Sequence, residues 1–172
     1  PKVVIYIPEQ LRMQLVQDWE SINKSQMLVP LPRKPSVTDI INNYKSWKHE
    51  KNKDSDGIAE EVSKGVCFYF NKCLGTRLLY QSERNQYKEI RSKFENLENA
   101  QIYGAEHLLR LFGKVLQLIA SAFPLVIFPK LMSNTNIGEE TLNALKEHLS
   151  DLLNHISECQ KDYIVEDYQK TQ

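Results

Sequence analysis

Tyr103-Gly104-Ala105-Glu106-His107-Leu108-Leu109-Arg110-Leu111-Phe112-Gly113-Lys114-Val115-Leu116-Gln117-Leu118-Ile119 is the segment on which the fold turns. Wound as a helix, its apolar residues (Leu108, Leu109, Leu111, Phe112, Val115, Leu116, Leu118 and Ile119) cover nearly the whole circumference. A helix of this kind must be contacted on several sides, whereas a surface helix carries one apolar stripe. The segment therefore predicts a central helix with other helices packed around it, stopped by Pro124. Pro129 to Asn136 reads as a connecting loop. Gly138-Glu139-Glu140 then opens a last helix with a stripe of Leu142, Leu145, Leu149, Leu152, Leu153 and Ile156.

Upstream, Val3-Val4-Ile5-Tyr6-Ile7 is β-branched and aromatic and predicts a short strand. Pro8 and Glu9 suit the first turn of a helix that carries Leu11, Leu15, Trp19 and Ile22 at helical spacing. Met27-Leu28-Val29 predicts a second short strand. Ser36 and Asp39 predict a capping box ahead of Val37, Ile40, Ile41, Tyr44 and Trp47. Lys48 to Gly57 reads as a charged, mobile loop. Ile58, Val62, Val66, Tyr69, Phe70 and Cys73 mark a third helix, with Gly75 as its left-handed cap. Leu78-Leu79-Tyr80 is an apolar knot, and Ser82 is the expected cap of a fourth helix through Tyr87, Ile90 and Phe94. Glu95 to Gln101 reads as loop. The fold class is mainly α with a small N-terminal β element. A single unit is expected over 1–172, with its core over about 4–158 and a polar tail over 162–172 that contains Tyr163 and Tyr168.

The bulk numbers narrow the function classes. The chain has 172 residues, with Lys plus Arg 22 balanced by Asp plus Glu 22. Zero net charge argues against a general phosphate-binding surface, whose affinity rests on uncompensated cations. Cys67, Cys73 and Cys159 are expected to be reduced thiols. The run from Phe123 to Phe128 is far too short for a bilayer span. With no charged leader and Pro1 in place of Met, the chain is expected to be excised from a longer protein.

Catalytic signatures are missing: there is no P-loop string and no nucleophile elbow, and the six glycines are scattered. Zinc needs ligands clustered by short spacings. Cys67 and Cys73 lack such spacing, and His148 with His155 reads as two helix residues. A Cys73–His107 nucleophile and base pair has nothing in the sequence to activate it. Glu139 and Glu140 are first-turn acids. Lys45, Lys48, Lys51 and Lys53 form a loose basic stretch interrupted by Glu50, Asp54 and Asp56. No enzyme, no cofactor, no metal and no small-molecule substrate is expected.

The first helix is overfull. Leu11, Leu15, Trp19 and Ile22 span a face of about 80°, with Val16 beyond it and Met13 further round. One packed neighbour needs a stripe of roughly 100°. Either a second intramolecular neighbour covers the excess, or an exposed apolar groove lies next to Trp19.

Several strings, in order, carry a resemblance: Ile7-Pro8-Glu9-Gln10-Leu11, Leu15-Val16-Gln17-Asp18-Trp19, Leu31-Pro32, Leu74-Gly75-Thr76-Arg77-Leu78-Leu79-Tyr80, Glu83-Arg84-Asn85-Gln86-Tyr87, and Ile102 through Leu111. Together, from about Val4 to about Ile156, they resemble the MRG domain of the mortality-factor-related chromatin proteins. The divergent loops at Lys48–Gly57 and Pro124–Asn136 fit a fungal member.

The resemblance implies two packed helical hairpins around the central helix. It also implies a nuclear parent protein whose N-terminal chromodomain, absent from these residues, reads methylated histone tails. The domain itself would be an adaptor in histone acetyltransferase and histone deacetylase complexes, taking short apolar segments with a Phe-x-Leu-Pro core. Its groove carries over onto Ile7, Leu11, Leu15, Val16, Trp19, Tyr80, Gly113 and Lys114. Animal members carry Val and Arg where this chain has Gly113 and Lys114. Gly113 inside a helix suggests close approach of another backbone. His107, Arg110 and Glu83 are possible supports, with Arg110 expected either to pair with an acid such as Glu83 or Asp18 or to cap carbonyls. The rival reading is a direct nucleic-acid or histone-tail binder.

Overall fold

Ser36 shows how local chemistry starts the helices. Its hydroxyl accepts from the Asp39 amide at 3.3 Å, and Asp39 Oδ2 accepts from the Ser36 amide at 2.9 Å. This reciprocal cap fixes α2 at Val37–Glu50. The computed structural model describes residues 5–51, 57–115 and 139–171; the side chains at 114–115 and 139–142 lie outside that description.

The helices run in order: α1 (Glu9–Asn23), α2, α3 (Ala59–Cys73), α4 (Arg84–Lys93), α5 (Asn99–Ile102), α6 (Ala105–Arg110), α7 (Glu139–Glu158) and α8 (Gln160–Tyr163). α2 packs along α3, and α7 packs against both. Their buried residues, among them Ile40, Tyr44, Val62, Val66, Phe70, Leu149 and Leu152, form one continuous core with Leu108, Leu109, Leu111 and Phe112 of the central segment. The mainly α class with a small β element is what the structure has.

That β element pairs the second expected strand with the C-terminal tail. β1 (Met27–Leu28) pairs antiparallel with β2 (Gln169–Lys170), Met27 opposite Lys170. Ile5, Tyr6 and Ile7 join no strand, and Ile5 and Ile7 pack as half-buried side chains on the core; Val3 and Val4 lie outside the described residues. The C-terminal tail, polar in composition, is therefore folded onto the body of the protein.

Four further expectations are corrected. Gly75 is no left-handed cap: it lies in a π turn (Leu74–Leu78), and positive φ occurs among the described residues only at Gln26 and Gly57. Gly75 is needed for space instead, because a Cβ there would stand 2.8 Å from the Tyr87 hydroxyl. Ser82 does not cap α4. α4 has no side-chain cap; it follows a 3-10 turn (Gln81–Glu83) whose start is closed by Glu83, which accepts from the Tyr80 amide at 2.9 Å. Part of Glu95–Gln101 is helical: Gln101 Oε1 accepts from the Glu98 amide at 2.8 Å and starts α5. Lys48 belongs to α2, not to a loop, and its ammonium is buried against Asp151 at 2.8 Å. Residues 52–56 of the expected mobile loop lie outside the described residues.

The central helix is broken. α6 ends at Arg110 and continues as a π turn (Leu111–Val115) in which Gly113 has a non-helical ψ of −109°. Glycine, lacking Cβ, accommodates such a departure at little cost. The expected continuation through Leu116, Leu118 and Ile119, the stop at Pro124, the loop at Pro129–Asn136 and the start at Gly138 lie outside the described residues.

Candidate partner-binding site

α1 separates its residues by chemistry. One face buries Leu11, Gln14, Asp18 and Ile22. Leu15 packs half-buried at the edge of the core. Beyond it the apolar character continues into solvent: Trp19 is 44% exposed, Val16 58% and Met13 61%. At 100° per residue these positions follow one another around a single flank of the helix. Among the described residues no neighbour covers them. Met13 and Val16 line a shallow recess of about 400 Å³ with Glu9, Arg12 and Gln17. The Lys24 ammonium stands 5.6 Å from the Trp19 ring centre.

The carried-over groove residues divide accordingly. Val16 and Trp19 present surface, and Ile7, Leu15 and Tyr80 are half-buried. Leu11 is completely buried and belongs to the core, because it points down the middle of the packed face. Gly113 lies against α1: a Cβ built there would meet Leu15 Cδ1 at 3.7 Å, an ordinary contact. Among the described residues that is the one contact within 4 Å of such a Cβ, which leaves room on this side of Gly113. The Lys114 side chain lies outside the described residues.

Behind this flank sits a buried ionic cluster. Arg110 donates from Nε to Asp18 Oδ2 at 2.7 Å and from Nη2 to Asp18 Oδ1 at 3.1 Å. The same guanidinium donates to Glu83 Oε1 at 2.5 Å and to the Leu78 carbonyl at 2.8 Å. Glu83 Oε2 lies 2.8 Å from His107 Nε2. The sequence offered Asp18 and Glu83 as alternative partners; Arg110 holds both. Above it lies the Tyr80 ring, its centre 4.3 Å from the guanidinium carbon. The cluster thus ties α1, the turn before α4 and α6 together and holds Tyr80 flat against them.

The electrostatics follow from burial and pairing. Burial alone would raise the Glu83 carboxyl, but His107 and Arg110 overcome it and hold Glu83 down to about 2. Burial likewise disfavours the Arg110 charge, and Glu83 and Asp18 outweigh it and push the group upward. A salt bridge desolvated on this scale stabilises only while every member is present.

Two contacts of the tail were missed in the sequence, one of them within the cluster. The Tyr168 hydroxyl of the tail donates to Asp18 Oδ1 at 2.5 Å. Arg33 Nε donates to the buried Glu106 at 2.6 Å, and its Nη2 donates to the Tyr163 carbonyl at 3.0 Å. Aromatic residues in an otherwise polar tail were the available signal.

His107 faces Glu83, while burial raises the Cys73 thiol and leaves it a poor nucleophile. Among the described residues no group of three His, Cys, Asp or Glu could hold a metal ion. His155 lies 2.7 Å from the Tyr163 hydroxyl, and the Tyr44 hydroxyl donates to the His148 carbonyl at 3.0 Å. The side chains of Glu139 and Glu140 lie outside the described residues. The basic stretch is already neutralised: Lys45 pairs with Glu60 at 3.1 Å, Lys48 with Asp151, and Lys51 with Glu158 at 3.6 Å. Lys53 lies outside the described residues. No described helix is long and apolar enough to cross a membrane.

Comparison with known proteins supplies the context. A family model described as MRG matches residues 1–123. The chromatin modification-related protein EAF3 of Mycosarcoma maydis is 35% identical over 98% of this chain and 55% of its own length. Protein MRG1 of Arabidopsis thaliana is 37% identical over 94% of this chain and 46% of its own. The NuA4 complex subunit EAF3 homolog of Dictyostelium discoideum is 36% identical over 95% of this chain and 38% of its own. The chain thus spans about half the length of the curated relatives it matches.

Proposed function

The chain belongs to the MRG family, and from that premise we propose that it is a non-enzymatic adaptor domain of a nuclear chromatin-regulatory protein. Its role is to hold partner subunits of histone acetyltransferase and histone deacetylase complexes. The chromatin names of its relatives support the setting. Histone-tail reading would belong to a chromodomain elsewhere in the longer protein.

The observation that carries the reading is the exposed apolar flank of α1, with Trp19 and Val16 uncovered, on a helix tied through Asp18 to the Arg110 guanidinium over which Tyr80 lies. Single exposed apolar residues are common, but a contiguous row on one helix marks a docking surface. A partner's Phe and Leu, from a Phe-x-Leu-Pro segment, would pack on this row. Burying two such side chains contributes about 3–6 kcal/mol before ordering costs. Rigid anchors reduce those costs, and the Asp18–Arg110–Glu83 cluster supplies the rigidity.

The direct test is affinity purification from the source cells with wild type and Trp19→Glu in parallel. The reading expects acetyltransferase and deacetylase subunits to copurify with wild type and to be lost from Trp19→Glu. Their retention by the folded variant would overturn it.

A further inference from the structure

A second face has the make-up of a docking surface, and none of its residues belongs to the α1 flank. Phe68 on α3 is 49% exposed. Lys64 and Lys72 bracket it one helical turn away on either side, so that all three share one face. The Lys72 ammonium lies 4.6 Å from the Phe68 ring centre. On α4, Tyr87 is bracketed in the same way by Arg84 and Arg91, with Lys88 beside it. The two aromatic residues line one recess of about 400 Å³, together with Asn71, Lys72, Arg91, Glu98 and Asn99.

The walls of this recess are fixed. Asn71 Oδ1 accepts from the Ala100 amide at 2.8 Å, and its Nδ2 donates to Glu98 Oε2 at 3.0 Å. Arg91 Nη1 donates to the Leu97 carbonyl at 2.5 Å, and Arg84 Nη1 to the Gly75 carbonyl at 3.0 Å. Among the described residues, no carboxylate lies within ion-pairing distance of Lys72, Lys88 or Arg91. Lys72 and Lys88 are exposed. Their charge remains available to a ligand, in contrast to the neutralised lysines of α2.

We propose that this α3–α4 recess binds an acidic protein segment, which places one aromatic or aliphatic side chain between Phe68 and Tyr87 and its carboxylates on Lys72 and the neighbouring cations. Charge complementarity selects the acidic partner. The aromatic floor selects a peptide side chain over a phosphate backbone. The site is independent of the α1 flank, so one chain could hold two segments at once and gain avidity from their linkage.

The test is a selection from a displayed random-peptide library on the Trp19→Glu chain, which silences the α1 flank. Counter-selection uses the Trp19→Glu chain that also carries Phe68→Ala and Lys72→Glu. All three altered positions are solvent-exposed. The expected result is a consensus of Asp and Glu around one Phe, Tyr, Leu or Met. A synthetic peptide of that consensus should bind at least about tenfold more weakly after Phe68→Ala or Lys72→Glu alone. No enrichment over the counter-selected chain, or a consensus without acidic residues, would overturn the proposal. So would tighter binding of duplex DNA than of the peptide, dependent on the same two residues.

Discussion

Arg110 grips Asp18 with two nitrogens while the Tyr168 hydroxyl takes the same carboxylate from the other side at 2.5 Å. This contact joins α1, α6 and the C-terminal tail at one point on the buried face of α1. Removing one member of such a cluster leaves a buried charge without its partner. Asp18→Ala is therefore expected to destabilise the chain by about 3–5 kcal/mol. Tyr168→Phe, which removes one neutral donor, should cost about 1–2 kcal/mol. Urea unfolding of the two variants measures the difference, and equal costs would contradict the central place given to Asp18.

Acid should act through Glu83. Its carboxyl is held down to about 2, against an ordinary value of 4.5. A group with a depressed folded-state value contributes stability that is fully present above 4.5 and lost as pH falls towards 2. Asp39, lowered mainly by the Ser36 amide, adds in the same direction. Glu106 opposes them: burial outweighs Arg33 and raises it, so its protonation favours the folded state as pH falls towards 4.5. Stability measured against pH should drop between about 4.5 and 2 in wild type, by on the order of 3 kcal/mol for Glu83. Glu83→Gln, already destabilised at neutral pH, should show a flatter profile there. An unchanged slope in Glu83→Gln would rule out this origin.

The π turn depends on a missing side chain. Gly75→Ala would place a Cβ 2.8 Å from the Tyr87 hydroxyl and 3.1 Å from its ring carbon. Gly75→Ala is expected to cost about 1–3 kcal/mol by overpacking. Adding Tyr87→Phe should recover part of that loss, because the hydroxyl is the nearest obstruction. A double variant no more stable than Gly75→Ala would refute the steric account. Gly113→Ala meets no such obstruction, only Leu15 Cδ1 at 3.7 Å.

These cases also mark what was legible in the sequence. The Ser36–Asp39 box was readable because both partners lie within one turn. The demand of Arg110 for acids was readable because an arginine on an apolar helix must be paired when buried. The excess on α1 pointed to Val16 and Met13, which are exposed; Leu11 entered the groove only through the family resemblance, and it is core. Gly75 was misread because its reason is Tyr87, a residue of another helix. The β1–β2 ladder and the Tyr168–Asp18 bond join residues far apart along the chain, beyond the reach of local pattern.

The α1 flank should be separable from stability. Val16 is 58% exposed, so Val16→Asp is expected to shift unfolding by no more than about 0.5 kcal/mol. Thermal unfolding of Val16→Asp checks this, and a large loss would place Val16 in the packing instead.

Calorimetric titration of a Phe-x-Leu-Pro peptide into wild type and the folded Trp19→Glu and Val16→Asp variants tests the adaptor reading most directly. The account predicts saturable binding to wild type, weakened at least about tenfold, or 1.4 kcal/mol, by either substitution. Equal binding to all three, or none to wild type, would contradict it.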